Sequence, residues 1–468
     1  MRRPAVPELV ATLWRDAGLG AAPLDRLELT GHEPALPSSF AIGSALQASL
    51  GAAALAASEV AARRGGAAPR VTLDMLDVVR ESSARFTLDG RTPELWDKVS
   101  GLYRCADGHV RVHANFAHHR DGALALLGLP TGAATERMAV QAALAHWRAE
   151  DFETAAAARG LVVAAVRTPE QWTAHPQAAA VAGLPLVDVE RIGPAALRCW
   201  PAEAAAGTRP LAGLRVLDLT RILAGPVAGR TLAAWGADVM LVNGPHLPNI
   251  EAIADTSRGK LSVHVDLRDE AGRATLRALV READVFLQGY RPGGLAALGF
   301  GPEDLAALRP GIVAVSLSAY GHAGPWAGRR GFDSLVQSAT GLNVAEARAC
   351  GSAEPRALPI QALDYGAGYL LAFGALAALL RQRREGRSWH VRVALAGVGR
   401  WLDGLGRLPD GPAAPKPGFD GAMEASDSGF GLLAAVRHAV HFDGRRAGWA
   451  RASRPPGSHP PEWPPRAG

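Results

Sequence analysis

The chain is short of the residues that mark several protein classes. Only three cysteines occur in 468 residues, at Cys105, Cys199 and Cys350. Their odd number argues against a disulfide framework, and their wide separation offers no CxxC metal pattern. Such sparse thiols point to a reducing, cytoplasmic setting. Lysine is confined to Lys98, Lys260 and Lys416, so almost every cation is an arginine. No block of like charges and no nucleic-acid motif occurs, so the net charge of +5 implies no nucleic-acid partner. The N-terminal MRRPAVPELV has no apolar stretch behind its arginines, which argues against a signal peptide. The most apolar run, Gly366–Leu380, falls short of the ~20 residues that span a bilayer. It is expected to be a buried Gly/Ala helix, with no membrane partner. Four histidines, His109, His113, His118 and His119, lie close together but fit no zincin spacing; they are expected to be structural or surface residues.

What the chain has is a core-forming composition, 48% hydrophobic and 20% charged, enough for two or three domains. Three stretches differ in pattern. Residues 1–208 begin with a helix near Pro7–Ala17 and an alanine-rich helix over Ile42–Arg63. A hairpin over Gly101–Phe116, turning at Asp107-Gly108, helical segments over Glu136–Ala158 and the strand Leu161–Val166 follow. Pro201–Pro210 reads as a linker. From Leu211 to Leu408, strands at Val216–Leu219, Asp238–Val242, Asp284–Gln288 and Ile312–Ser318 alternate with helices at Val227–Trp235 and Glu270–Glu282. That alternation predicts a parallel, Rossmann-like α/β sheet with helices on both faces, beside a smaller α+β domain. Residues 409–468 are rich in Pro and Gly and are expected to form an extended or partly disordered tail.

An internal echo links 35–66 with 357–387. Both begin Ala-Leu-Pro, continue as Gly-containing alanine helices and end in paired arginines before glycine. Only the second copy has an acid, Asp364, at the start of its helix. By itself such an acid serves either as a helix-terminal charge favoured by the dipole or as a nucleophile at a glycine-rich helix start. Gly225, Pro226 and Gly229 follow the strand Val216–Leu219, where open α/β sheets bind ligands. The turn is not GxGxxG, so a nicotinamide site is weakly supported. Arg258, Lys260, Arg291 and Arg330 fall in predicted loops of this region and suit an anionic, phosphate-bearing ligand.

The blocks LAGLRVLDLTRILAGPVAGRTLAAWGADVMLV, SRGKLSVHVDLRDEAGR and ADVFLQGYRPGGLAALGF, continuing to GRRGFDSLVQSATG, resemble the family III CoA-transferases. ELWDKVSGLYRCADGHVRVHANF and VRTPEQWTAHPQ resemble that family's back half, so the chain reads as a back half followed by a front half. The resemblance implies a Rossmann-like large domain with a smaller one, usually in a homodimer, and no tightly bound cofactor; coenzyme A and acyl-CoA are substrates beside a small carboxylic acid. It implies Asp364 as the nucleophile that passes through an acyl anhydride and an aspartyl-CoA thioester, and Asp333 as the acid that orients it. For CoA it implies the turn Leu223, Ala224, Gly225, together with Arg258, Lys260, Tyr290, Arg291 and Arg330. The chain departs from the family at Asn243 and at Gln288-Gly289. It has Phe332 where the family's racemases carry histidine, which disfavours an acyl-CoA racemase. A non-catalytic, degenerate CoA-binding chain is the other alternative.

Overall fold

The computed structural model describes residues 3–65, 68–197 and 209–465. Cys199 and most of the expected linker lie outside the described residues.

The strands of the second half contain few polar residues because both faces are covered. Arg215–Leu219, Asp238–Asn243, Leu261–His264, Val285–Gln288, Val313–Ser318 and Ser388–Ala394 are parallel neighbours in one sheet. Numbered by chain position, they take the order 3-2-1-4-5-6 of a doubly wound fold. Asp188–Gly193, from the first half, adds a seventh strand, antiparallel to Ser388–Ala394. Alternate side chains supply two cores. Val216, Val239, Val285 and Val313 pack beneath the helices Ala224–Ala234 and Ala362–Glu385. Leu217, Met240, Phe286 and Ala314 face Leu276, Leu279 and Leu305 on the other side.

The two helices long and apolar enough to cross a membrane, Ile42–Arg63 and Ala362–Glu385, are buried and pack on each other. Their small residues surround the axis on all sides, as in a helix enclosed by protein. Gly368 allows the closest approach: a Cβ there would lie 2.7 Å from the Ala224 carbonyl oxygen. The internal echo corresponds to two like units. Leu27–Thr30 and Val71–Asp74 pair in parallel on either side of the first helix in sequence. Val313–Ser318 and Ser388–Ala394 do the same around the second.

A smaller unit has its own core, built on the antiparallel strands Gly101–Arg104, His109–Val112 and Val163–Ala165. It is tied to the second half by the His109 Nε2–Glu354 carboxylate contact (2.6 Å), by the ion pair Arg348–Glu170 (2.8 Å), and by the Arg167 N–H donating to the Ser338 carbonyl (3.1 Å).

The C-terminal stretch is not the extended tail that its composition suggests. Met423–Ser428 and Gly431–Val436 form a hairpin that pairs with Phe86–Leu88, and His441–Phe442 pairs with Val71–Asp74. Trp449 stacks on the Arg258 guanidinium at 3.7 Å and donates its indole N–H to the Arg230 carbonyl. The His459 amide donates to the Ser262 carbonyl, covering the edge strand Leu261–His264. Order here comes from tertiary contacts that local Pro and Gly content does not report.

Candidate active site

The strand order reverses between Arg215–Leu219 and Val285–Gln288, and ligands bind outside the carboxyl ends of strands at such a point. A cleft of about 420 Å³ opens there. Leu219, Arg221, Ile222, Leu223 and Ala224 line it from the first strand's exit, and Gly289, Tyr290 and Arg291 from the other's. Phe116, His118, His119 and Val162 of the smaller unit form the facing wall. Arg330, Phe332 and Asp364 complete it. Both halves of one chain therefore build the cleft.

The first exit is held by a buried acid. Asp218 Oδ1 accepts from the Thr220 N–H (3.0 Å) and hydroxyl (2.5 Å), while Oδ2 accepts from Lys260 Nζ at 2.7 Å. The turn then passes through Ile222 at φ +76°, a conformation that costs a β-branched residue of order 1–3 kcal/mol. That strain turns the Ile222 side chain and the start of the next helix toward the cleft.

Asp364 sits in the first turn of its helix, 8% exposed. No hydrogen bond reaches its carboxylate among the described residues. Asp333, fully buried, accepts from the backbone N–H groups of Leu363 (2.8 Å) and Asp364 (2.9 Å) and from the Gln337 amide. Gln337 is held in turn by Asn343, which donates to its Oε1 at 3.0 Å. Asp333 thus holds the backbone that carries Asp364 and does not line the cleft. Burial, and then the Asp333 charge, push the Asp364 pKa well above the ordinary carboxylate range. Burial raises Asp333 as well, but its hydrogen bonds pull it back.

The matching helix start in the first half is filled differently. Glu33 accepts from the Ser44 N–H at 2.6 Å, and Glu346 accepts from the N–H (3.0 Å) and hydroxyl (2.6 Å) of Ser39. Carboxylates from other segments satisfy the groups there, and Ile42 opens the helix.

Of the expected CoA-binding residues, Leu223, Ala224, Tyr290, Arg291 and Arg330 line the cleft. Three do not. Arg258 is buried in an ion pair with Asp255 (2.5 Å), bonds the Val436 carbonyl and lies under Trp449. Lys260 is 0% exposed between Asp218 and the Pro226 carbonyl (2.8 Å). Their charges are already matched inside the fold. Gly225 packs on Thr220, whose Cβ would lie 2.3 Å from an added Cβ; it allows the tight exit and forms no part of the wall.

Several lining residues escaped the sequence reading, Arg221, His118 and His119 among them. Arg221 directly follows the first strand's carboxyl end, a position that the switch-point rule alone would have flagged. His118 and His119, expected to be structural or surface residues, reach the wall from the smaller unit. His113 fits its expected structural role, stacking on Phe332 with centroids 4.0 Å apart.

Residues 27–208 and 211–404 match the family described as CoA-transferase family III. The chain is 37% identical over 204 residues to a probable fatty acyl-CoA transferase of Mycobacterium tuberculosis, covering 41% of this chain and 51% of that one. It is 34% identical over 209 residues to the succinate–glutarate CoA-transferase of Agrobacterium fabrum, covering 40% and 52%. A crystal structure of the mycobacterial protein, orthorhombic form, aligns at 35% identity and a TM-score of 0.39, covering 43% of this chain and 59% of that one. The chain spans about half the length of these curated relatives.

Proposed function

Because the chain belongs to CoA-transferase family III, we propose that it moves CoA from an acyl-CoA thioester to a carboxylic acid, with Asp364 as the nucleophile. The observation that carries this reading is a buried carboxylate, left without hydrogen bonds on a fixed backbone, in a cation-rich cleft at the switch point.

The Asp364 carboxylate attacks the thioester carbonyl, the C–S bond breaks, and CoA leaves as the thiolate from an acyl-aspartyl anhydride. The thiolate then attacks the aspartyl carbonyl, releasing the donor acid and forming an aspartyl-CoA thioester. An acceptor carboxylate attacks that thioester and expels the thiolate. The thiolate finally takes the acceptor acyl group from the second anhydride, and Asp364 returns as carboxylate. The chemistry needs a carboxylate because the same group must act as nucleophile and leaving group. Burial strips water from the Asp364 oxygens and keeps it from hydrolysing the intermediates.

CoA lies in this reading along the Leu223–Ala224 turn, with Tyr290 beside the adenine and Arg291 and Arg221 toward its phosphates. Among the described residues no carboxylate pairs with either arginine, which supports their use on an anion. The free thiols Cys105 and Cys350 fit a cytoplasmic setting. The resemblance implies a homodimer.

Incubation with acyl-CoA donors followed by hydroxylamine is expected to leave a hydroxamate at Asp364, located by peptide mass analysis. CoA binding with no adduct from any donor would assign the degenerate, binding-only alternative. The pH profile provides a second check. Attack requires ionised Asp364, so kcat/KM for the donor should rise with pH along a limb above the ordinary carboxylate range. Asp333→Asn removes a negative charge that opposes this ionisation while keeping an acceptor for the backbone N–H groups. The limb should move to lower pH; a limb that stays in place would dissociate Asp333 from the nucleophile.

A further inference from the structure

Gln288 is one of the positions at which the chain departs from the family, and it directly precedes the loop that brings Gly289, Tyr290 and Arg291 to the cleft. The sheet ladder stops there, where Gln288 pairs with Ser316 on one side and Leu219 on the other. Beyond that point a side chain takes over. Gln288 Oε1 accepts from the Tyr290 backbone N–H at 2.9 Å, and Nε2 donates to Ser316 Oγ at 2.8 Å. Ser316 Oγ in turn lies 2.9 Å from Nε2 of His390, on the next strand of the sheet. Three side chains from three neighbouring strands thus form one line that ends on the first aromatic residue of the loop. None of the three lines the cleft itself.

The line has a direction. A backbone N–H only donates, so Tyr290 fixes Oε1 as the acceptor and Nε2 as the donor of the Gln288 amide. Ser316 Oγ receives that amide proton. Among the described residues, His390 Nε2 is the acceptor open to the Ser316 hydroxyl proton. Nε2 therefore accepts, and the ring proton sits on Nδ1. Burial, with Arg392 and His322 nearby and Asp188 opposing them, pushes the His390 pKa down to about 4 and keeps the ring neutral near pH 7.

A glutamine with a free end samples several rotamers, and the loop that it holds would move with it. Anchored at Ser316 and His390, it holds the Tyr290 amide in one place. We infer that Gln288, Ser316 and His390 are positioning residues for acyl-CoA, which hold the loop so that Tyr290 and Arg291 meet the ligand. The inference rests on the transferase reading and deepens it, because it assigns the support of the CoA-binding loop to residues outside the cleft.

The test is made on the full chain. Ser316→Ala should raise KM for the acyl-CoA donor about three- to tenfold, the scale of one lost hydrogen bond, and leave kcat unchanged. Calorimetry with CoA should show a weakening of the same size, and Ser316→Thr, which keeps the hydroxyl, should restore both. Nitrogen NMR of histidine-labelled protein, with the His390 signals identified by their loss in His390→Gln, should show the Nδ1–H tautomer. In Gln288→Glu a carboxylate accepts from both Tyr290 and Ser316, which turns the Ser316 proton away from His390. The ring proton should then move to Nε2. Unchanged donor KM and CoA affinity in Ser316→Ala would overturn the inference, as would a wild-type His390 that carries its proton on Nε2. If no donor forms the Asp364 adduct, the transferase reading falls, and the CoA affinity of Ser316→Ala then decides the role of the line by itself.

Discussion

Asp364→Asn is expected to lower CoA transfer by about four orders of magnitude or more, the scale for losing a covalent nucleophile, without lowering stability. The two halves of that result have the same origin. The wild-type carboxylate is buried, receives no hydrogen bond among the described residues and faces the Asp333 charge. Such a group contributes little to folding and costs free energy whenever it ionises. An amide of the same shape removes the charge and leaves the capping of the helix by Asp333 in place. The melting temperature should therefore stay level or rise, and CoA should still raise it further by mass action. The measurement pairs a transfer assay with thermal unfolding, with and without CoA. Full transfer by Asp364→Asn would refute the proposed nucleophile. A collapse in stability would show that Asp364 holds the helix, contrary to the geometry.

Lys260→Met is expected to behave in the opposite way, destabilising the fold by about 3–5 kcal/mol, the cost of removing one partner of a buried ion pair. Lys260 Nζ is fully enclosed between the Asp218 carboxylate and the Pro226 carbonyl. Methionine fills much of the same volume but leaves Asp218 charged and unmatched in the interior. Asp218 also holds the Thr220 turn, so the strained exit at Ile222 loses part of its support. Denaturant unfolding measures the effect, and the double variant with Asp218→Asn should recover part of it, because the orphaned charge is gone. A phosphate-binding lysine would give another signature, weaker CoA binding at unchanged stability, and that outcome would return Lys260 to the ligand.

How much was legible from sequence divides along the range of the interactions. The helices Ile42–Arg63 and Glu270–Glu282 have the boundaries that local pattern predicts. The parallel sheet was visible because strands covered on both faces are almost wholly apolar. Asp188–Gly193 was missed because DVERIG is polar, as an outer antiparallel strand can be. The cations were misjudged for a related reason. Lys260 meets an acid 42 positions away, and Arg258, besides Asp255, meets the Val436 carbonyl 178 positions away. Whether an arginine or lysine awaits a ligand or is already matched depends on partners that spacing does not reveal. The place of Asp364 at the start of its apolar helix was legible because the Gly/Ala pattern that marks that helix is local. The Ser316–His390 contact was not, since its members lie 74 residues apart.

The wall bearing His118 and His119 and the floor bearing Asp364 belong to one polypeptide. Each therefore meets the other at an effective concentration set by the covalent connection, not by how much protein is present. Docking of this wall beside Asp364 is a unimolecular event, independent of dilution. The first half, whose copy of the Asp364 helix carries no acid at its start, supplies a permanently attached wall to the second.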